Sequence, residues 1–446
     1  MVSSSGAGYP ARSGIGTSRP TLEQDCREPC KCHTARSLIY PSGVPTLRLH
    51  DDSAGPNRPT TLLETVLPPG KHAARGLYVH VPFCFHKCHY CDFYSFVDRE
   101  GQSPAYLARL EADIEWVHTR VAAPIETVFV GGGTPTLLSA QELRALCATI
   151  RRLPLGDACE WTVEANPETI DQEKADALVT GGVNRISIGA QSFDPKHLKT
   201  LERWHDPANV ARAVSVLRAA GIANINLDLI FGIPGQTLAE WRSDLDRALE
   251  LGSEHVSCYG LTYEANTAMT KRLERGDFAP CEEDLEAAMY DVTRERLAAA
   301  GFGQYEISNF ARAGRECRHN LVYWRNEPWW AVGPSASGFV AGHRFKVVPR
   351  LGDWLARARG DDSQPVVEHE APDEMRNVSE SLMLGLRLME GIDAGLESRA
   401  IALEPGRAAV IARAIDSGLL ERAPQSRLRF THRGAALANE VLTQLV

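Results

Sequence analysis

The sequence predicts an α/β fold, an incomplete (βα)6 barrel followed by a mostly helical C-terminal part. Three observations lead there. Short apolar runs alternate six times with amphipathic runs between residues 77 and 264. The links between them are rich in Gly and Pro. After about residue 310 this rhythm stops and helical patterns take over. Alternation of this kind signals a parallel sheet. Six units fall short of the eight that close a full βα barrel, so an open, incomplete barrel fits the count, with a doubly wound sheet as the alternative.

The elements follow in order. LYVHV (77–81) reads as a strand and SPAYLARLEADIEWVHTR (103–120) as an amphipathic helix. TVFVGGG (127–133) is a strand ending in glycine, and SAQELRALCATIRRL (139–153) a helix with Ser139 as its N-cap. EWTVEANP (160–167) is a strand, and DQEKADALVTGG (171–182) a helix closing on glycines. RISIGAQSF (185–193), NINLDLIFG (224–232) and HVSCYGLTYE (255–264) are the remaining strands. PANVARAVSVLRAAG (207–221) and TLAEWRSDLDRALELG (237–252) are the helices between them. Further on, SESLMLGLRLMEG (379–391) and GRAAVIARAIDSGLLER (406–422, ending at Gly418) read as helices. RLRFTHRGAALANEVLTQLV (427–446) reads as a strand and a helix. That order resembles a winged helix, which is expected to serve here as a packing module. The predicted division is a disordered extension over 1–72, the barrel over 73–310 and the C-terminal domain over 311–446.

The 446 residues carry a net charge of −9, so no broad basic face is implied and nucleic acid is excluded as the main partner. No apolar run approaches the roughly 18 residues of a membrane span, and no secretory h-region is present. Eleven cysteines, an odd number in a chain this long, point to a reducing compartment, and a cytoplasmic location is expected. Residues 1–72 are Ser-, Gly- and Pro-rich without periodicity, the composition of a plain tail. The acid-free first 22 residues would also suit a transit peptide. Cys26, Cys30 and Cys32 lie within this tail in a C-x3-C-x-C spacing, with no strand or helix to orient them as ligands.

The chemistry concentrates at Cys84, Cys88 and Cys91, spaced C-x3-C-x2-C. Thiolates bind soft metals and Fe–S clusters. Three of them on a [4Fe-4S] cube leave one iron open for chemistry. A zinc site is the alternative, with His86 or His89 as fourth ligand. GGGTPT (131–136) follows the next strand, where three glycines let the backbone approach a ligand. Glu164, Gln191 and Asp228 sit in the third, fourth and fifth strands, toward the ends where βα barrels assemble their sites.

These blocks carry a resemblance. C-x3-C-x2-C with Tyr90 between the last two cysteines resembles the radical S-adenosylmethionine (SAM) superfamily. In that superfamily SAM chelates the open iron and is split by an electron from the cluster. From about 73 to 446, YVHVPFC, GGGTPT, VEANPE, IGAQSF and LDLIFGIPGQT resemble the family of oxygen-independent coproporphyrinogen III oxidases and their relatives, the HemW heme chaperones. The resemblance implies that Tyr78 and Tyr90 pack near SAM and that Gly132, Gly133 and Thr134 meet its methionine end. It implies that Glu164, Gln191, Arg203 and Asp228 hold its amino group, ribose or carboxylate. The oxidases carry a further cysteine two residues after the third, where this chain has Phe93, as the chaperone branch does. CRHNLVYW (317–324) matches that branch's H-N-x-x-Y-W motif through His319, Asn320, Tyr323 and Trp324.

A neutral imidazole can ligate heme iron, and Tyr and Trp offer flat apolar surface to a porphyrin. A hydrogen-bonded structural role for His319 stays open beside that reading. Trp329 and Trp330 read as core or interface residues. The expectation is a heme chaperone that binds heme and a [4Fe-4S] cluster with SAM and transfers heme to an acceptor, such as a respiratory hemoprotein, with an unidentified electron donor. The alternative is a coproporphyrinogen III oxidase, a radical decarboxylase. Replacing Cys26, Cys30 or Cys32 is expected to leave the iron and sulfide content of the reconstituted protein unchanged.

Overall fold

The computed structural model of the protein describes residues 60–356 and 363–446, so Cys26, Cys30, Cys32 and the rest of the first 59 residues lie outside the described residues. A two-residue strand, β1 (Thr61–Leu62), precedes six longer ones: β2 (Gly76–Val81), β3 (Ile125–Gly132), β4 (Leu155–Ala165), β5 (Arg185–Gln191), β6 (Asn224–Phe231) and β7 (His255–Gly260). These six are the six that the sequence predicts. The five helices expected between them are present as Ser103–His118, Ala140–Ile150, Gln172–Gly181, Ala208–Ala220 and Leu238–Glu250. Ser139 caps the second through a reciprocal box with Glu142, and Thr237 caps the fifth with Glu240.

β2 to β7 are parallel neighbours in strict chain order. Sequential order leaves no topological switch point, which removes the doubly wound alternative. With every crossover of one hand, the helices cover one face and the sheet curls around the other. The curl does not close on itself. β7 pairs antiparallel with β9 (Asn309–Ala311), which pairs with β8 (Gly303–Gln304). At the other edge β2 pairs in parallel with β10 (Trp329–Val332). Antiparallel β11 (Ser337–Val340), β12 (His343–Val347), β13 (Pro365–Glu370) and β1 then extend the sheet.

Two features differ from the sequence reading. Residues 60–72, expected to belong to the extension, are part of the fold. β1 pairs with β13, the Leu63 N–H donates to the Gln364 carbonyl (2.9 Å), and Leu63 and Leu67 are buried. LLETVL (62–67) has the apolar content to offset its own ordering. The sheet also runs across the boundary expected at 310. Its hydrophobic core gathers residues from Leu63 to Val366, and a second core begins at Val378.

That second core belongs to helices Glu374–Gly385, Ala394–Leu403 and Gly406–Asp416, the hairpin β14 (Leu420–Arg422) and β15 (Leu428–Phe430), and helix Ala438–Leu445. Three helices, a hairpin and two closing helices, of which the short His432–Ala436 comes first, follow a winged-helix-like order. Among the described residues, no helix is long and apolar enough to cross a membrane.

Candidate functional site

The cysteine loop leaves the C-terminal end of β2 and is closed at its base. The Cys84 N–H donates to the Phe96 carbonyl (2.9 Å) and the Phe96 N–H to that of Pro82 (3.0 Å). Its far side is pinned twice more, by the His89 N–H to the Leu201 carbonyl (3.3 Å) and by the Met269 N–H to the His89 carbonyl (2.8 Å). His80 supports it from below. Its Nδ1 bonds the Tyr78 hydroxyl (2.9 Å) and its Nε2 the Tyr94 carbonyl (2.8 Å). Burial pushes this imidazole down to about 4, so it is neutral at physiological pH.

The three thiols are free and partly buried. Cys84 Sγ lies 3.7 Å from Thr134 Oγ1, and Arg203 Nη1 donates to Cys88 Sγ at 3.7 Å. Arg203 Nη2 donates to the Gly189 carbonyl (2.9 Å). Burial, reinforced by Cys88, pushes the Cys91 thiol up to about 12, and burial raises that of Cys84. Three crowded thiols on one pinned loop are a donor set that a metal cation turns into thiolates.

The glycine run answers to packing against this loop. A Cβ on Gly132, whose φ is +104°, would fall 2.4 Å from His80, and one on Gly133 2.6 Å from the Phe83 carbonyl oxygen. The N–H of Gly133 is spent on Val81 O and that of Thr134 on Phe83 O, both at 2.7 Å. The N–H of Gly132 goes to Glu164 Oε2 (3.0 Å). Burial first, and then the nearby Asp228, raise the Glu164 carboxyl from 4.5 to about 7. Asp228 accepts from Ser187 Oγ (2.9 Å) and Asn226 Nδ2 (2.8 Å), and burial raises it too. Gln191 ends β5 at a φ of +63°. A Cβ on Gly189 would fall 2.7 Å from Arg203 Nη2 and 2.8 Å from Gln191 Nε2, so both side-chain ends would have to shift to admit it. Tyr90 packs among Leu201, Ile230, Ile233 and Met269, and Tyr78 stacks on Phe129 within the barrel. One connected set therefore joins the cysteine loop, Thr134, Arg203, Gln191, the glycine run, Glu164 and Asp228.

His319, Asn320, Tyr323 and Trp324 stand elsewhere. Their helix, Arg318–Trp324, meets the N-terminal halves of β3 and β4 and floors the barrel opposite the cysteine loop. The His319 N–H donates to Glu160 Oε1 (3.1 Å). His319 is wholly buried, with Nδ1 on Thr127 Oγ1 and Nε2 on the Tyr323 hydroxyl, both at 2.8 Å. Burial, with the Arg185 charge behind it, pushes its imidazole to about 3. Asn320 donates to the Tyr305 hydroxyl (3.3 Å) and Glu306 (3.2 Å), and Trp324 packs on Leu384 and Leu388. Both ring nitrogens of His319 are thus committed. His319→Ala would orphan the hydroxyls of Thr127 and Tyr323, and is expected to lower unfolding free energy by about 1–3 kcal/mol in urea titrations.

The sequence reading missed His80, although Tyr78-x-His80 puts two polar rings on one face of a buried strand. It also missed Ser187 and Asn226, which hold Asp228 and carry no motif. Asp194, His197 and Glu240 cluster with metal-ligand chemistry. Their carboxylates already cap helices and bind Lys196.

Known proteins resemble this chain in sequence and fold. The radical SAM superfamily model matches residues 78–248. A Bacillus subtilis protein named heme chaperone HemW is 35% identical over 376 residues, 82% of this chain and 98% of that one. A Mycobacterium tuberculosis (H37Rv) protein of the same name is 37% identical over 376 residues, 83% of this chain and 94% of that one. The solved structure of the radical SAM enzyme coproporphyrinogen III oxidase from Escherichia coli superposes with a TM-score of 0.73, covering 85% of this chain and 91% of that one. At 20% identity, that last likeness is one of fold.

Proposed function

The chain belongs to the HemW heme chaperone family within the radical SAM superfamily, and from that premise we propose that it binds heme and transfers it to an acceptor protein while holding a [4Fe-4S] cluster with SAM. The acceptor is a hemoprotein, such as one of a respiratory chain, and a separate donor supplies electrons. Cys84, Cys88 and Cys91 would hold three irons and leave the fourth for SAM. When bound, cluster and SAM supply one-electron chemistry at a sulfonium. Arg203 sets the Cys88 sulfur, Thr134 the Cys84 sulfur, and Tyr90 walls the far side of the loop. Gly132 and Gly133 would border the methionine end. Glu164, Asp228 and Gln191 would face the amino and ribose groups, with Tyr78 beneath.

The observation that carries the reading is Phe93, which stands where an oxidase would extend the cluster motif with a cysteine. It is tested by anaerobic reconstitution and two assays on one sample, heme titration by absorbance and product analysis with coproporphyrinogen III and SAM. Saturable heme binding without porphyrin conversion is expected. A divinyl product would return the chain to the oxidases.

The raised Glu164 carboxyl gives a pH dependence. Its folded value lies above its free value, so its contribution to stability is full below 4.5 and is lost as pH rises through about 7. Over the same window the carboxylate gains the charge that attracts the SAM amino group. SAM affinity measured by equilibrium dialysis is expected to tighten as pH rises through about 7, and Glu164→Gln to flatten that slope.

A further inference from the structure

We propose that heme docks on the rim of the barrel mouth, between Phe85 and Phe93, with His86 as its axial ligand and Trp204 holding that imidazole in place. The assignment rests on the heme-binding reading above and locates it.

Six large apolar side chains are exposed among the described residues; Met375 and Val446 belong to the C-terminal part, and the other four gather at the cysteine loop. Phe85 (68% exposed), Phe93 (52%) and Val97 (40%) lie on or just after the cysteine loop, and Trp204 (60%) stacks against it. Apolar surface left in water forgoes the stabilisation of burial. Its concentration on one pinned loop marks a surface that a ligand covers.

The second observation is independent of the first. His86 Nε2 is buried and has no hydrogen-bond partner among the described residues, although it borders a pocket that Phe85, Cys88, Thr134, Arg203 and Trp204 also line, so it stands at the edge of the cluster site. An orphaned polar atom of this kind is destabilising unless a ligand takes it up. The imidazole stacks on the Trp204 indole at 4.8 Å and 21°. An axial imidazole stands perpendicular to the porphyrin it ligates, so a parallel indole beside it fixes the ring while leaving its nitrogen edge free. The porphyrin would then spread over the phenyl rings flanking the opening.

Charge fits as well. Lys87 is exposed on the same loop, its Nζ donates to the Phe93 carbonyl (3.3 Å), and among the described residues it makes no ion pair, so it can meet a propionate. His319 offers none of this, since both of its nitrogens are committed inside the barrel floor.

The test uses the full chain with its cluster reconstituted anaerobically, titrated with ferric heme and separately with metal-free protoporphyrin. Wild type is expected to give the Soret signature of histidine-ligated heme. His86→Ala should lose that signature and bind heme at least about tenfold more weakly, with metal-free porphyrin unaffected. Trp204→Ala should shift the Soret band without abolishing binding, and Phe85→Ser with Phe93→Ser should weaken both porphyrins severalfold.

A His86→Ala protein with wild-type heme spectrum and affinity overturns the assignment. Should that variant lose its cluster, the Phe85→Ser/Phe93→Ser pair decides, because both side chains are exposed and carry little of the fold. Unchanged porphyrin titrations in that pair, with slower cluster reduction by an electron donor, would make the rim a redox docking face and overturn the heme site. If wild type itself binds no heme, the functional reading falls rather than the placement alone.

Discussion

Alanine at Cys84, Cys88 or Cys91 is expected to bring iron and acid-labile sulfide to background in anaerobically reconstituted protein, while the circular dichroism of the fold is unchanged. The loop that presents them is fixed by backbone bonds at Cys84, His89 and Phe96, none of which needs a thiol. Losing one sulfur therefore removes a ligand without collapsing the loop, and a cube held by two thiolates has no third protein anchor. Cys147 provides the contrast. It is buried between helices, its sulfur 2.6 Å from where a Cβ on Gly181 would stand, and Cys147→Ser should keep the cluster. Full iron and sulfide in any of the three alanine variants would refute the ligand assignment.

Glu380→Ala is expected to cost about 3–5 kcal/mol of unfolding free energy, read from urea or thermal transitions. Arg344, on β12, donates through Nε (3.0 Å) and Nη2 (2.7 Å) to Glu380 Oε2 on helix Glu374–Gly385. Both side chains are nearly sealed from water, at 5% and 7% exposure. Removing the carboxylate strands a guanidinium inside the joint between the sheet and the C-terminal helices. Replacing both partners, Arg344→Met with Glu380→Leu, should recover most of the loss, because no buried charge is then left alone. A single variant as stable as wild type would mean that water reaches the joint.

The parallel strands and their helices were legible because each signal is local. Strands of six to eight apolar residues bounded by glycine, and boxes such as Ser139 with Glu142, specify themselves. The site was legible where spacing carries it, at the cysteines and the glycine run. What stayed hidden depends on distant partners. β10 to β13 are short, and each reads as strand only beside the next, with Ala341 and Gly342 turning β11 into β12 at positive φ. Thr61–Leu62 becomes a strand only because Pro365 and Val366 lie next to it. His319 reads as a ligand in a motif, and only the positions of Thr127 and Tyr323 show both of its nitrogens taken.

The pairing of β2 with β10 sets a timetable for synthesis. Gly76 lies beside Trp329, so the strand that launches the cysteine loop lacks one neighbour until most of the chain has left the ribosome. Arg203 and Met269, which brace the loop, also emerge well after it. The three thiols are therefore translated early and organised late. A cluster held by these cysteines would be loaded only once β10 has emerged, and a nascent protein interrupted before β10 would present those sulfurs to oxidants on a strand that still lacks its neighbour.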